Sequence, residues 1–257
     1  MTKSLLLSLT LVIGVSLIGC GPSADGNNAA SNTESKPTHS DSNNQASGGN
    51  NEAGHTDTHT TEEPGIELSK LPADLKGDAF DYYGLGRTDV VHLSVDDGTG
   101  PKPGTQTTKL TKVEKDYAEF MVTNDGALSV LGSVKIRLDK DGVKVISVNG
   151  IAAASDAVEL PNGLTKGKKW PFKYNAPDSP ISGTNVLVGT QSVKTSVGTY
   201  NDALLIESTA SGKQAGQQIQ LKSKQWLVKG RGMVKTEFSR NVAGNKTPQI
   251  FKMEETK

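Results

Sequence analysis

Few residues in this chain are placed to do chemistry. The 257 residues include one cysteine, Cys20, and four histidines, three of them in a polar N-terminal tract. A lone thiol forms no internal disulfide, and such scattered histidines cannot complete a Cys/His zinc cluster. His55, Asp57 and His59 stand in an H-T-D-T-H pattern that could chelate a divalent metal. The ligands are too few and lack supporting groups, so a solvated tail is the reading, and neither metal nor cofactor is expected. His92 falls in a strand-like run with no identifiable nucleophile to serve. Asp78 and Asp81, Asp96 and Asp97, and Asp139 and Asp141 lie beside glycine or loop residues, where carboxylates support turns. The D-K-D-G stretch from Asp139 has Val143 where a calcium loop needs an oxygen ligand. No GxSxG, SxxK, GxxxxGK[ST], HExxH or complete GxGxxG motif occurs, so no catalytic residue is assigned and the chain reads as a non-enzyme. With 28 basic and 28 acidic residues, net charge offers no argument for nucleic-acid binding.

Cys20 has a particular setting. Lys3 is followed by an apolar run from Leu5 to Ile18, then Gly19 and Cys20. At about 1.5 Å per residue this run spans roughly 21 Å, short of the ~30 Å hydrocarbon core, so it suits an export signal better than a membrane-spanning helix. Leu17-Ile18-Gly19-Cys20 resembles the bacterial lipobox. The resemblance implies a signal peptide over residues 1–19 cleaved between Gly19 and Cys20. It also implies a diacylglyceryl thioether on Cys20 and acylation of the new amino group, palmitate being a typical chain. An ordinary secretory signal with a chance cysteine is the alternative. Each buried methylene contributes about 0.8 kcal/mol, and two or three chains anchor stably where one does not. Gly21, rather than aspartate, follows the cysteine, which in a two-membraned host implies the outer membrane, facing the periplasm or exterior.

Residues 21–65 contain no Leu, Ile, Val, Met, Phe, Tyr or Trp, and carry seven acidic residues against Lys36. Such a segment buries too little to offset its conformational entropy and is expected to be a disordered acidic linker. Its root-mean-square reach is roughly 35 to 40 Å. From Ile66 the composition changes: all 12 aromatic residues lie beyond it, with 26 basic against 21 acidic residues. Residues 66–257 read as one domain, long enough to bury a core without disulfides.

That domain reads as mainly β. Stretches such as Thr107–Val113, Tyr117–Thr123, Leu128–Leu138, Tyr200–Thr209 and Gln217–Val228 are rich in β-branched and aromatic residues with period-two alternation. Asp97-Gly98, Asp125-Gly126, Asp141-Gly142, Asn149-Gly150, Asn162-Gly163 and Ser211-Gly212 supply turn chemistry. Short helices are expected only over Glu67–Leu75, limited by Pro72, and over Ile151–Ala157. The fold class is a curved antiparallel sheet or partly open β-barrel with one short N-terminal helix, a sandwich being the alternative.

Three stretches, D81-YYGLGRTDVV-91, K166-GKKWPFKY-174 and V197-GTYNDALLIE-207 with Q225-WLVKGRGMVKTEF-238, resemble a loosely defined, mostly uncharacterised group of exported bacterial β-domains. Gly84 stands where that group usually has proline, His92 near its usual aromatic, and Leu227 where tyrosine is common. The group is distantly similar to lipoprotein-carrier folds, whose curved sheet wraps an acyl chain, an analogy of fold alone. Trp170, Phe172 and Tyr174 share one strand face, with Lys169 and Lys173 on the other; with Trp226 they are the candidate ligand-binding or structural aromatics. The expected function is that of a lipid-anchored envelope protein whose β-domain binds an apolar ligand or a protein partner, not nucleic acid. A structural component without a small ligand and an envelope hydrolase are the alternatives.

Overall fold

Inward and outward positions alternate through the strands, as a sheet with one covered face requires. Along Val134–Asp139 every second residue is buried, and along Gln217–Val228 the buried positions alternate through Ile219, Leu221, Ser223 and Gln225 until a bulge at Trp226 and Leu227, both buried, breaks the pattern. The computed structural model describes residues 66–153, 158–176, 179–214 and 216–257. Gly19, Cys20, His55, Asp57 and His59 lie outside them.

The strands in chain order are β1 (Val91–Asp96), β2 (Pro101–Val113), β3 (Tyr117–Gly126), β4 (Val134–Asp139), β5 (Gly142–Val148), β6 (Ile151–Ala152), β7 (Val158–Pro161), β8 (Lys169–Ala176), β9 (Ser179–Lys194), β10 (Thr199–Gln214), β11 (Gln217–Val228), β12 (Gly232–Val242) and β13 (Gln249–Glu255). All belong to one antiparallel sheet, ordered β6-β5-β4-β3-β2-β1-β13-β12-β11-β10-β9-β8, with β7 paired to β5. From β1 to β6 and from β8 to β13 neighbours in sequence are neighbours in the sheet; β7 skips β6 to pair with β5, and β13 returns to β1. Among the described residues no ladder joins β8 to β6 or β7, so the sheet is a curved, unclosed one rather than a full barrel. Its curl is visible in the main core cluster, where Phe120 and Ile136 from one half pack with Trp170, Leu187 and Ile206 from the other. Bulges in β9–β10, β11–β12, β2–β3 and β4–β5 add the local twist that such curvature demands.

A short helical segment fills the concave face. Two 3₁₀ turns, Leu68–Lys70 and Ala73–Leu75, precede one α-helix, α1 (Asp78–Tyr83). Leu71, Leu75, Ala79, Phe80 and Leu85 from this segment are buried against strands of both halves. The helix therefore stands later than Glu67–Leu75: Pro72 has no amide to continue an earlier one, and a regular helix starts only after Gly77. Asn162 tethers it, its Oδ1 accepting from the Ala79 amide at 2.9 Å, while Asp78 Oδ2 accepts from the Leu164 amide at 2.9 Å.

Gly84 ends α1 in the left-handed region, φ 77°, and a Cβ there would sit 2.8 Å from Arg231 O and Gly232 N in the β11–β12 turn. Proline is incompatible with that φ, which explains the departure noted in the sequence. Gly84→Ala is expected to cost at least about 2 kcal/mol, from left-handed strain plus displacement of the hairpin, measured as a lower urea midpoint.

Two other local readings change. Ile151 and Ala152 form β6 rather than a helix, because Asn149 (φ 49°) and Gly150 (φ 76°) turn the chain back on β5. Ser211-Gly212 is no turn but lies inside β10, where a Cβ on Gly212 would meet Pro180 O at 2.2 Å; glycine serves a close approach of strands.

Candidate functional site

Inside the curled sheet the apolar packing is interrupted by a polar seam. On the inward face Trp170 pairs with Asn185, Asn185 with Ser208, Ser208 with Ser223, and Ser223 with Phe238. Asn185 is fully buried, and Ser208, Ser223, Gln225 and Thr236 are nearly so. Ser208 Oγ lies 2.6 Å from Asn185 Oδ1, yet Asn185 Nδ2 has no partner among the described residues. Small polar residues in adjacent strands at one register thus separate the cluster around Phe120 from that around Phe238 and Phe251. Burying such groups costs free energy unless they are paired, and here Ser208 pairs with Asn185 while Thr236 Oγ1 donates to the Lys224 carbonyl at 3.1 Å.

The seam's chemical centre is Glu159 on β7. Its side chain is 3% exposed, and Tyr174 of β8 donates its hydroxyl to Oε1. Trp170 Nε1 donates to the Glu159 carbonyl at 3.2 Å. These two bonds link the sheet's unladdered ends through side chains. Burial pushes the Glu159 carboxyl up to about 8, the Tyr174 hydrogen bond offsetting only part of it, so the group is protonated at neutral pH. Burial, and then the nearby Glu159, push the Tyr83 and Tyr174 hydroxyls well above the ordinary tyrosine range. Tyr83 Oη and Glu159 Oε2 are both buried without a partner among the described residues, and both residues line one cavity of about 50 Å³. Val122, Leu160, Ile206 and Leu227 make much of its wall apolar.

A second polar centre fastens the sheet rather than facing a cavity. Glu255 on β13 accepts from Arg87 Nη1 at 3.0 Å, Arg231 Nη2 at 2.7 Å and Tyr200 Oη at 2.8 Å. Burial alone would raise this carboxyl; hydrogen bonds from Arg231, Tyr200 and Arg87 outweigh it and hold the group below the usual glutamate value. The Arg231 guanidinium also lies 5.4 Å from the Tyr200 ring centroid.

Of the aromatics singled out in the sequence, the structure brings Trp170, Phe172 and Tyr174 together on the inward face, the Phe172 and Tyr174 rings 5.6 Å apart. Trp226 is elsewhere. It pairs with Leu205 on the opposite face, in a cluster with Val193, Ala203 and Val234, with Lys235 Nζ 5.6 Å from its ring. His92 is exposed on β1. Two of the three acidic pairs hold turns: Asp96 Oδ1 accepts from the Gly98 and Gly100 amides, Asp97 Oδ1 from the Thr99 amide, and Asp139 Oδ1 from the Asp141 amide, whereas Asp78 and Asp81 stand in α1, with Asp78 accepting from Leu164 and Asp81 paired with Lys229. Lys144 bridges Asp139 and Asp141 at 2.8 and 3.3 Å. Among the described residues no group of three or more His, Cys, Asp or Glu is placed to hold a metal ion.

Sequence reasoning missed Glu159, because V-E-L-P is too short to announce a strand. It also missed the seam, whose only signal is serine, asparagine or glutamine at inward positions of neighbouring strands, legible once register is known. Larger hollows lie open at the surface: one of about 300 Å³ beside Phe238, Ile250, Lys222 and Lys224, and one of about 350 Å³ beside Gly183, Ala210 and Leu221.

No family model matches the chain, and no curated protein matches it. Two solved structures that do are similar in fold over part of the chain. A "putative lipoprotein" from Parabacteroides distasonis ATCC 8503 is 15% identical, with 65% of this chain and 94% of that one covered and a TM-score of 0.39. A "putative exported protein with YmcC-like fold" from Bacteroides fragilis NCTC 9343 is 10% identical, with 66% and 94% covered and a TM-score of 0.38. At those scores they are likenesses only.

Proposed function

We propose that this is a lipid-anchored, non-enzymatic protein of the bacterial cell envelope whose β-domain serves as an interaction module for another envelope protein. The observation that carries the reading is the chain's single thiol, Cys20, standing directly after an apolar run of export-signal length in L-I-G-C. Residues 20–65 are the tether that lets residues 66–257 reach away from the headgroups, and Gly21 favours the outer membrane. A protein partner is preferred to an enclosed acyl chain because α1 occupies the concave face and the cavity beside it is only about 50 Å³, where a lipid-sized ligand needs several hundred.

A second reading, an apolar ligand on the outer surface, is favoured by the cleft of about 300 Å³ beside Phe238 and Ile250, the latter 52% exposed. The two separate cleanly. In-cell crosslinking of the anchored protein should trap one abundant envelope protein, whereas a diffuse background with saturable binding of a fluorescent fatty acid favours the cleft. For the anchor, Cys20→Ser should abolish incorporation of an alkynyl palmitate analogue and release the protein from membranes. Undiminished labelling of that variant contradicts the reading.

A further inference from the structure

We infer that the outward face of β8–β11 docks on an anionic lipid surface, with Lys169, Lys173, Lys213 and Lys222 reaching the headgroup phosphates. This deepens the envelope reading and rests on it for the presence of a bilayer. The two halves of the sheet treat their cations differently. On β2–β5, Lys102, Lys112, Lys135, Arg137 and Lys144 are each bridged to a carboxylate at between 2.8 and 3.2 Å. In the other half Lys224 is bridged to Glu207 at 3.2 Å and Lys235 to Glu237 at 3.5 Å. Lys169, Lys173, Lys213 and Lys222 are exposed and form no ion pair among the described residues.

Strand register gathers these four on one side. Lys169 stands in the cross-strand row that contains Glu207 and Lys224, and the next row runs through Thr184 and Thr209 to Lys222. Lys173 opens the third row, opposite Ser182, and Lys213 lies one row beyond, opposite Gln218. At about 4.8 Å per strand and 3.3 Å per residue, the patch measures roughly 14 by 20 Å. One small anion cannot meet all four charges across that width.

The chemistry of the patch selects the partner. Lysine is depleted from protein–protein interfaces, and no outward aromatic stands between these lysines to stack a nucleic-acid base. Long stems with the charge at the tip suit a surface of mobile phosphates, where apolar carbons lie against the protein and ammonium groups reach outward. A hollow of about 350 Å³ opens within the patch, bordered by Ser182, Thr209, Ser211 and Lys222, whose hydroxyls and ammonium group can all donate to phosphate oxygens. A domain tethered to a bilayer also meets its surface at high effective concentration, so modest attraction per lysine suffices.

Amine acetylation of the full-length protein, read residue by residue by mass spectrometry, tests the docking. Protein on phosphatidylcholine vesicles is compared with protein on vesicles in which a third of the lipid is phosphatidylglycerol, and flotation reports separately whether the protein is on the vesicles. On the anionic vesicles at low salt, Lys169, Lys173, Lys213 and Lys222 should react at least about fivefold more slowly, the factor that corresponds to the ~1 kcal/mol of one lysine at such a surface. Lys102 and Lys112 should keep their rates. Salt at about 0.5 M, where the Debye length is only about 4 Å, should restore the four. Protein that floats with unchanged rates at the four lysines overturns the docking and leaves the anchor standing. Equal slowing at Lys102 and Lys112 overturns it too, because the attraction would then belong to no face. Equal protection by soluble polyglutamate without vesicles would assign the patch to an acidic polymer instead. Protein that floats on neither kind of vesicle contradicts docking and anchor together.

Discussion

Replacing Glu159 with glutamine is expected to stabilise the protein above neutral pH and to remove a pH dependence that wild type shows. In the unfolded chain this carboxyl titrates near 4.5, and in the folded protein at about 8. Between those values the folded state holds a proton that the unfolded state has released, so stability falls as pH rises. The contribution is fully present below about pH 4.5 and is lost as pH climbs through about 8. At about 1.4 kcal/mol per pH unit, the loss over the window is on the order of 5 kcal/mol. Glu119, Glu255 and Asp89 act in the opposite sense: ion pairing and hydrogen bonds hold their carboxyls below the ordinary values, so their contributions disappear as pH falls. The measurement is therefore the difference between wild type and Glu159→Gln in urea unfolding from pH 5 to pH 9. Glutamine keeps an acceptor for Tyr174 and carries no charge, so the difference should grow with pH. Parallel curves for the two proteins would contradict the burial of an ionisable group at this place.

The second large effect belongs to Glu255. Truncating it to alanine removes the acceptor shared by Arg87, Arg231 and Tyr200, and leaves the Arg87 side chain, 11% exposed, with Asp89 and the Arg231 carbonyl as partners. Breaking a buried ion pair from one side typically costs about 3–5 kcal/mol when the charge left behind has no other partner. Arg87 keeps Asp89 and the Arg231 side chain is 40% exposed, so Glu255→Ala is expected at the lower end, about 3 kcal/mol, with Glu255→Gln intermediate. Asp89, whose side chain is 61% exposed, pairs with the same Arg87 from the solvent side, so Asp89→Asn should cost under about 1 kcal/mol. Thermal or urea unfolding of the three variants checks the order. Equal losses for Glu255→Ala and Asp89→Asn would mean that the β13 end is not held by this network.

Much of the architecture was legible because strand physics is local. Asp and Asn before glycine marked the turns at Asp141-Gly142 and Asn149-Gly150, and the alternation in Tyr117–Thr123 and Gln217–Val228 marked strands that the structure shows in one curved antiparallel sheet. Where a residue's role depended on a distant neighbour, the local signal misled. Gly212 looks like a turn glycine until the backbone of Pro180 is brought against it, and Trp226 looks like a companion of Trp170 until a strand register sends it to the other face. The candidate site was less visible still. Tyr174 stands out in the sequence for its aromatic ring, but what gives it chemical interest is Glu159, 15 residues away on a strand of four residues, and Tyr83, on a helix that the sequence places earlier. Glu159 is an acidic residue between Val158 and Leu160, and its burial follows from β8 and α1 being brought to β7, which no local pattern announces.

The anchor is the claim on which placement in the envelope rests, and mass spectrometry of the amino-terminal peptide of protein extracted from membranes tests it most directly. The expected species begins at Cys20 and carries the mass of a diacylglyceryl thioether with an added acyl chain. A peptide that begins elsewhere, or a Cys20 with a bare thiol, would contradict it.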